Sequence, residues 1–126
     1  MKANELRVGN YVDVSYNIER IKSIEFDEVN EDYYVFFDNL CFSEEIQILK
    51  PISLTQRLIF AAGFIIYDED DDNNTIYAKG FYYIKKKPFS NNFFFVINKI
   101  DIKIEYLHEL QNLYFALTKE ELNVKL

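Results

Sequence analysis

The chain has 126 residues, of which 49% are apolar and 28% are charged, a composition typical of one compact domain rather than a disordered segment or a large enzyme. Its single cysteine, Cys41, excludes an intramolecular disulfide and is typical of a reducing compartment. The longest apolar run, residues 58–67, is shorter than the roughly 18 residues of a membrane span, and the N-terminus lacks a signal-peptide apolar region. We therefore expect a cytoplasmic protein that does not contact a membrane.

The net charge of −7 argues against nonspecific binding of the whole surface to nucleic acid or to anionic membranes. Residues 1–50 carry 5 basic and 11 acidic side chains, whereas residues 79–103 carry six lysines and one acid, Asp101. Such asymmetry orients a partner by complementary potential, although a mixed solvated surface requires no partner. The 12 phenylalanines and 10 tyrosines are too many for so small a core, and exposed rings mark interfaces.

The first 50 residues predict a small antiparallel sheet. Apolar and polar residues alternate over 11–16, and apolar residues recur over 19–27, 33–37 and 40–42, which indicates short strands. We expect Asn17 in the first turn, an acidic connection over 27–32, and a two-residue hairpin turn at Asp38 and Asn39. This pattern is typical of an SH3-like sheet or partial barrel.

Lys50-Pro51 marks the expected boundary between an N-terminal β subdomain, residues 1–50, and an α+β subdomain, residues 51–126, within one compact unit. A helix is predicted over 54–62, with Ser53 and Gln56 as its capping box and Gly63 as its left-handed C-terminal stop.

An antiparallel meander and a C-terminal amphipathic helix complete the predicted α+β fold. The strands are expected at 64–67, 75–79, 81–85, 92–98 and 100–105. Helical spacing of leucines predicts a helix over 106–117. Thr118 with Glu121 can open a final turn.

Five consecutive acidic residues form a candidate partner-binding loop: Asp68, Glu69, Asp70, Asp71 and Asp72. The spacing of Asp68, Asp70 and Asp72 is that of the first ligands of an EF-hand loop. The match then fails, because Asn73 stands where the loop needs glycine and Lys79 where it needs a bidentate glutamate. We therefore expect no metal site, and the loop is either a solvated hairpin or an acidic surface for a partner.

Catalytic chemistry is not expected. The single histidine, His108, falls at a polar-facing position of the last predicted helix, and Cys41 falls in an apolar strand where a small buried side chain is the simplest interpretation. No phosphate-binding loop, metal-binding motif or nucleophile motif occurs. The sequence thus predicts a protein without catalytic residues or a cofactor.

Residues 81–89 contain three consecutive lysines with aromatic residues on both sides. This pattern suits single-stranded nucleic acid, since lysines contact phosphates and rings stack on bases. Alternatively, the rings face the core and the lysines protect a sheet edge. Because the chain has only three arginines, such binding would be directed at the nucleic-acid backbone. The candidate RNA or partner contacts are Tyr82, Tyr83, Lys85, Lys86, Lys87, Lys99 and Lys103.

Three stretches, NELRVGNYV (4–12), KPISLTQRLIFAAGF (50–64) and YLHELQNLYFALTKEEL (106–122), resemble a family of small proteins found in phages, prophages and mobile elements of Bacteroidota. The resemblance is strongest over 110–122 and covers about a third of the chain. Relatives tend to have an acidic, tryptophan-bearing turn, P-L-T-E-E-W, where this chain has SLTQRL at 53–58. A role of that turn is therefore not expected in this chain. We interpret the matching blocks as structural scaffold and therefore expect the functional residues in the strands and loops between them.

Members similar to this chain include an anti-CRISPR directed at the type VI-B RNA-guided RNase. The resemblance implies a non-catalytic, phage-derived inhibitor that binds this host effector and interferes with its use of guide RNA or target RNA. A small phage nucleic-acid-binding module without inhibitory role is the alternative, and a structural element of a phage particle is a third. The sequence leaves the oligomeric state open.

Overall fold

Nine strands and two α-helices form two antiparallel sheets in the computed structural model, which describes residues 1–126. The predicted α+β class with antiparallel sheets is thereby confirmed. The chain divides into two units. The first unit comprises Met1–Ile52 and Leu107–Glu121, and the second unit comprises Ser53–Tyr106 and Leu122–Leu126.

The first unit contains a four-stranded sheet in the order β1 (Tyr11–Val14), β2 (Asn17–Asp27), β3 (Asp32–Phe37) and β4 (Ser43–Glu45). Alternate residues of the strands turn inward because successive side chains of a strand point to opposite faces. They form a hydrophobic core with residues from the flanking segments: Leu6, Val12, Val14, Ile21, Val35, Phe37, Ile46 and Leu49.

Two connections of this sheet differ from the sequence-based expectation. The β1–β2 turn consists of Ser15 and Tyr16, both with positive φ, rather than Asn17, since that geometry follows the right-handed twist of the strands. The predicted two-residue turn at Asp38 and Asn39 is wrong, because a five-residue connection, 38–42, joins β3 to β4.

The longer connection follows from contacts beyond the local pattern. The N–H of Asp38 donates to the carbonyl of Arg20 at 3.1 Å, and its carboxylate pairs with the Arg20 guanidinium at 3.2 Å. Leu40 packs against the core. β4 therefore begins only at Ser43, and Cys41 is exposed rather than buried as predicted.

The second unit contains a five-stranded meander in sequence order: β5 (Ile65–Glu69), β6 (Thr75–Lys79), β7 (Tyr82–Lys86), β8 (Phe93–Ile97) and β9 (Ile100–Ile104). The predicted meander is confirmed. The strand register shifts between Ile66 and Asp68, which makes Tyr67 a bulge. Phe81 lies in the two-residue β6–β7 turn after Gly80, whose φ is +60°, and not in the strand.

Helix α1 (Gln56–Ala61) begins two residues later than its sequence pattern suggests. Its N-cap is Thr55, whose Oγ1 accepts the N–H of Leu58 at 3.2 Å, so the predicted Ser53 cap is wrong. Ser53 instead forms a β-bridge with Tyr106, which holds it in extended backbone.

The predicted glycine stop of α1 is confirmed. Gly63 has a φ of +93°, and its N–H donates to the Phe60 carbonyl at 2.9 Å. The N–H of Phe64 donates to the Ile59 carbonyl at 3.2 Å. These two bonds form a Schellman motif, which requires the left-handed backbone that glycine adopts without strain.

Helix α2 (Leu107–Thr118) belongs to the first unit, which differs from the expected division after Lys50. Its polar anchors explain the assignment: Asn112 Oδ1 accepts the side-chain amide of Asn10 at 2.8 Å, and Asn112 Nδ2 donates to the Glu5 carbonyl at 3.1 Å. No helix of the protein combines the length and apolarity that crossing a membrane requires.

Two predictions about α2 are wrong. His108 is 4% exposed rather than polar-facing, because the buried stripe of the helix is wide enough to include it, and this burial lowers its pKa. Thr118 ends the helix instead of opening a further turn. Its hydroxyl donates to the Tyr114 carbonyl at 2.8 Å and accepts the Glu120 N–H at 3.0 Å.

Candidate functional site: the open face of the five-stranded sheet

The two faces of the second unit's sheet differ in exposure. Alternate residues of the inner strands are buried on one face, with Tyr77, Ile84 and Phe95 at its centre. Cross-strand partners point to the same side of a sheet, so the register assigns the remaining residues to the other face. We call it the open face, and its residues are Ile65, Tyr67, Asp68, Ile76, Ala78, Tyr83, Lys85, Phe94, Val96, Asp101 and Lys103.

The open face consists of two cross-strand rows with an apolar centre. The first row runs Ile65, Ala78, Tyr83, Val96, Asp101, and the second runs Asp68, Ile76, Lys85, Phe94, Lys103. Charged side chains therefore occupy three of the four row ends, Ile65 occupies the fourth, and one lysine lies in the middle. An apolar centre with a charged rim is the arrangement found at protein interfaces.

The margin of the open face at β5 is the most exposed. The side chains of Ile65 and Tyr67 are 68% and 66% exposed. The Tyr67 ring lies 5.7 Å from the Tyr83 ring at an interplanar angle of 63°. The bulge at Tyr67 thus places a third aromatic ring on this face, beside Tyr83 and in an edge-to-face pair that leaves ring surface accessible.

Three lysines surround Phe94. Lys85 and Lys103 are its cross-strand partners on the two neighbouring strands, and Lys87 Nζ lies 5.5 Å from the ring centroid. Lys85 Nζ also forms an ion pair with Asp101 Oδ2 at 3.1 Å. The ring and its ammonium groups combine stacking surface with positive charge.

The structure divides the predicted RNA or partner contacts. Tyr83, Lys85 and Lys103 lie on the open face, and Lys87 adjoins it. Tyr82 and Lys86 point to the opposite side of β7, where the Tyr82 ring lies 6.3 Å from the Phe95 ring. Lys99 lies in the two-residue β8–β9 turn. Adjacent residues of a regular strand such as β7 point to opposite faces, so only part of the predicted set lies on one surface.

The five acidic side chains of the predicted partner-binding loop do not converge. Asp68 lies on the open face, Glu69 on the opposite side of β5, and Asp71 and Asp72 are exposed beyond the strand. Nowhere in the chain do three histidine, cysteine, aspartate or glutamate side chains gather as metal ligands would.

Asp70 organises the loop. Its carboxylate accepts the backbone N–H groups of Asp72 and Asn74 at 3.0 and 2.9 Å and the Asn74 side-chain amide at 3.0 Å. The Asn74 amide, foremost among these donors, lowers the Asp70 pKa below its ordinary value. Asp70 therefore stabilises the β5–β6 connection and is not directed outward to a ligand.

The first unit carries an acidic row on the outer side of its sheet. Tyr34 of β3 is the cross-strand partner of Glu25 on β2 and of Glu45 on β4. Partial burial, followed by the carboxylates of Glu45 and Asp27, raises the pKa of the Tyr34 hydroxyl. This row places two of the eleven acidic side chains of residues 1–50 on one face of the sheet.

Sequence reasoning missed the apolar part of the open face: Ile65, Tyr67, Ile76, Phe94 and Val96. Period-two alternation within each strand was the available signal, but the choice of face depends on strand register. The resulting surface has the character of a binding surface. Comparison with protein-family models, curated proteins and solved structures found no match.

Proposed function

We propose that the protein is a non-catalytic inhibitor that binds a type VI-B RNA-guided RNase in the bacterial cytoplasm and interferes with its use of guide or target RNA. The choice of this RNase as the partner rests on the resemblance of three sequence blocks to phage and mobile-element proteins. The open face supplies the observation that carries the proposal: the side chains of Tyr67 and Ile65 are exposed beside an apolar sheet centre. Tyrosines at the centre of an interface are frequent hot spots of binding energy.

The charge distribution supports a nucleic-acid-binding protein as the partner. An effector that holds RNA presents basic surfaces, and the row Glu25, Tyr34, Glu45 of the first unit carries complementary negative charge. Complementary potential raises the association rate and the specificity more than the affinity. We expect the open face to set the lifetime of the complex and the acidic row to set its rate of formation.

Cleavage of target RNA by a type VI-B effector tests this proposal, with the protein titrated in before or after guide RNA is added. Inhibition is expected at near-stoichiometric protein. Dependence on the order of addition would identify guide loading as the blocked step. Unchanged cleavage at large excess over each effector tried contradicts the proposal.

Matched aromatic variants locate the surface. The double variant Tyr67→Ala, Tyr83→Ala is expected to raise the inhibitory concentration about tenfold or more, as loss of interface hot spots does. The control, Phe81→Ala with Phe89→Ala, removes two fully exposed rings outside the open face. We expect it to change the inhibitory concentration little. An equal effect of both doubles would exclude the open face as the binding surface.

A nucleic-acid-binding module is the second candidate, and the lysines around Phe94 favour it. Anisotropy of a fluorescein-labelled single-stranded RNA tests it without any effector. Binding should weaken steeply with salt and disappear in the triple variant Lys85→Ala, Lys87→Ala, Lys103→Ala. The triple control Lys22→Ala, Lys119→Ala, Lys125→Ala changes exposed lysines elsewhere. No binding at low salt, or equal loss in both triples, contradicts this candidate.

A further inference from the structure

The four edge strands of the two sheets are protected to different degrees. Exposed edges invite pairing with another chain, and proteins protect them by a cover, a short strand, charged side chains or a β-bulge. β1 is bridged by Lys50, whose N–H and carbonyl bond Asp13 at 3.1 and 2.9 Å. β4 has three residues. β9 carries Asp101 and Lys103 between its isoleucines. β5 carries its two charges, Asp68 and Glu69, at one end only, so its first three residues form an uncharged edge that only the bulge at Tyr67 interrupts.

The uncharged part of β5 is apolar on both sides. Ile65, Ile66 and Tyr67 are 68%, 56% and 66% exposed. Ile66 is the cross-strand partner of Tyr77, and Phe60 of α1, 43% exposed, lies 5.8 Å from the Tyr77 ring. The apolar surface therefore continues from the open face, around the strand edge, to the helix on the other side.

Opposite charges lie beside the two ends of β5, one of them from Lys79 of β6. Asp68 and Glu69 form its C-terminal end. At the N-terminal end, Lys79 Nζ donates to the Ala62 carbonyl at 3.0 Å and fills the space beside Gly63. When two identical strands pair antiparallel about a two-fold axis, each end of one strand meets the other end of its partner. Such self-pairing brings carboxylates toward ammonium groups and leaves the apolar residues in the centre.

We propose that β5 pairs antiparallel with β5 of a second copy of this chain, so that the two five-stranded sheets continue into one. Main-chain hydrogen bonds across the edge supply the affinity, and the exposed isoleucines and Phe60 cover each other. The bulge at Tyr67 shortens the ladder, so the dimer is small and of moderate affinity. This inference is independent of the proposed inhibition.

Sedimentation equilibrium over about 5–200 µM protein tests the proposal, since a dimer of micromolar affinity dissociates within this range. The wild-type chain is expected to pass from monomer to dimer within this range. Ile66→Asp should raise the dissociation constant about tenfold or more. The control Ile100→Asp places the same charge on β9, at a residue 65% exposed, and should leave the constant unchanged.

A charge exchange tests the orientation of the strands. Lys79→Glu and Glu69→Lys are each expected to weaken the dimer several-fold, and the double variant to restore it, with circular dichroism confirming that all three fold. A monomer throughout the range overturns the proposal. So does a dimer broken by Ile100→Asp but not by Ile66→Asp, or a double variant no stronger than the single ones. Since Ile66 lies on the side of β5 opposite the open face, loss of dimerisation and loss of inhibition are separately observable.

Discussion

The side-chain carbonyl of Gln111 accepts the backbone N–H of Tyr11 at 2.9 Å, joining residues 100 positions apart. The Gln111 amide also donates to the Gly9 carbonyl at 3.0 Å. Gln111 is 1% exposed, so one buried side chain satisfies two backbone groups. This contact fixes helix α2 to the start of β1.

Replacing Gln111 by alanine should destabilise the protein by about 2–4 kcal/mol, since unsatisfied buried polar groups cost about 1–3 kcal/mol each. The free energy of unfolding in urea measures the effect. Gln47→Ala is the control, because Gln47 is exposed and bonds only the exposed Asp32 carboxylate, and its cost should stay below about 0.5 kcal/mol. Equal costs for both variants would show that the buried amide contributes nothing.

Gly63→Ala should destabilise the protein by about 1–2 kcal/mol, the cost of a left-handed backbone for an L-residue, with a further loss from displacement of Lys79. A Cβ at position 63 would lie 2.7 Å from Lys79 Nζ, whereas a Cβ at Gly80 meets nothing within 4 Å. Both glycines have positive φ, so Gly80→Ala is the matched control. Thermal unfolding should show the larger fall for position 63, and the reverse order would contradict this account.

His108 should make stability depend on pH. Burial lowers its folded-state pKa, so the unfolded chain binds the proton more readily. The contribution of neutral His108 is then complete above the unfolded pKa of about 6.5 and is lost as the pH falls below it. The urea midpoint of the wild-type protein should therefore fall between about pH 7.5 and 5.5.

His108→Gln cannot titrate in this range, so the fall of its urea midpoint should be smaller than that of the wild type. NMR titration of the His108 ring protons gives a direct check, with a midpoint below the ordinary histidine value. An equal fall in both proteins would assign the pH dependence to other groups.

Cys41 should react with a thiol reagent in the folded protein, because it is exposed in the β3–β4 connection. We expect one equivalent of thiol to be modified by Ellman's reagent without denaturant, at a rate within about tenfold of that in urea. Cys41→Ser should abolish the signal and leave the fold unchanged by circular dichroism. Protection of the thiol until unfolding would show that the connection is packed differently.

Local patterns predicted most of the elements because their causes are local. Alternation of apolar and charged residues over IDIKIE located β9, and the leucine spacing after Tyr106 located α2. Gly63 marked the end of α1 because a left-handed stop needs only the residues next to it. The N-cap went to Thr55 rather than Ser53 because Ser53 is held in a bridge to Tyr106, half the chain away.

Burial at single positions could not be predicted where long-range contacts decide it. The apolar neighbours of Cys41 predicted a strand at 40–42. Asp38 instead forms an ion pair with Arg20, and β4 begins only at Ser43. His108 looked polar-facing on an isolated helix, while the packed helix buries a wider stripe than its leucines define. In both cases the partner lies far away in the sequence.

The sequence by itself determined the charge asymmetry, the excess of aromatic residues, the α+β class and the order of strands in the second sheet. Tertiary structure decided which of these side chains share a surface. Lys85 and Lys86 are neighbours in sequence, yet they lie on opposite sides of β7, whereas Lys85 and Asp101 pair across two strands. The physical reason is that a strand alternates its side chains between two faces, and only the register between strands places residues distant in sequence side by side.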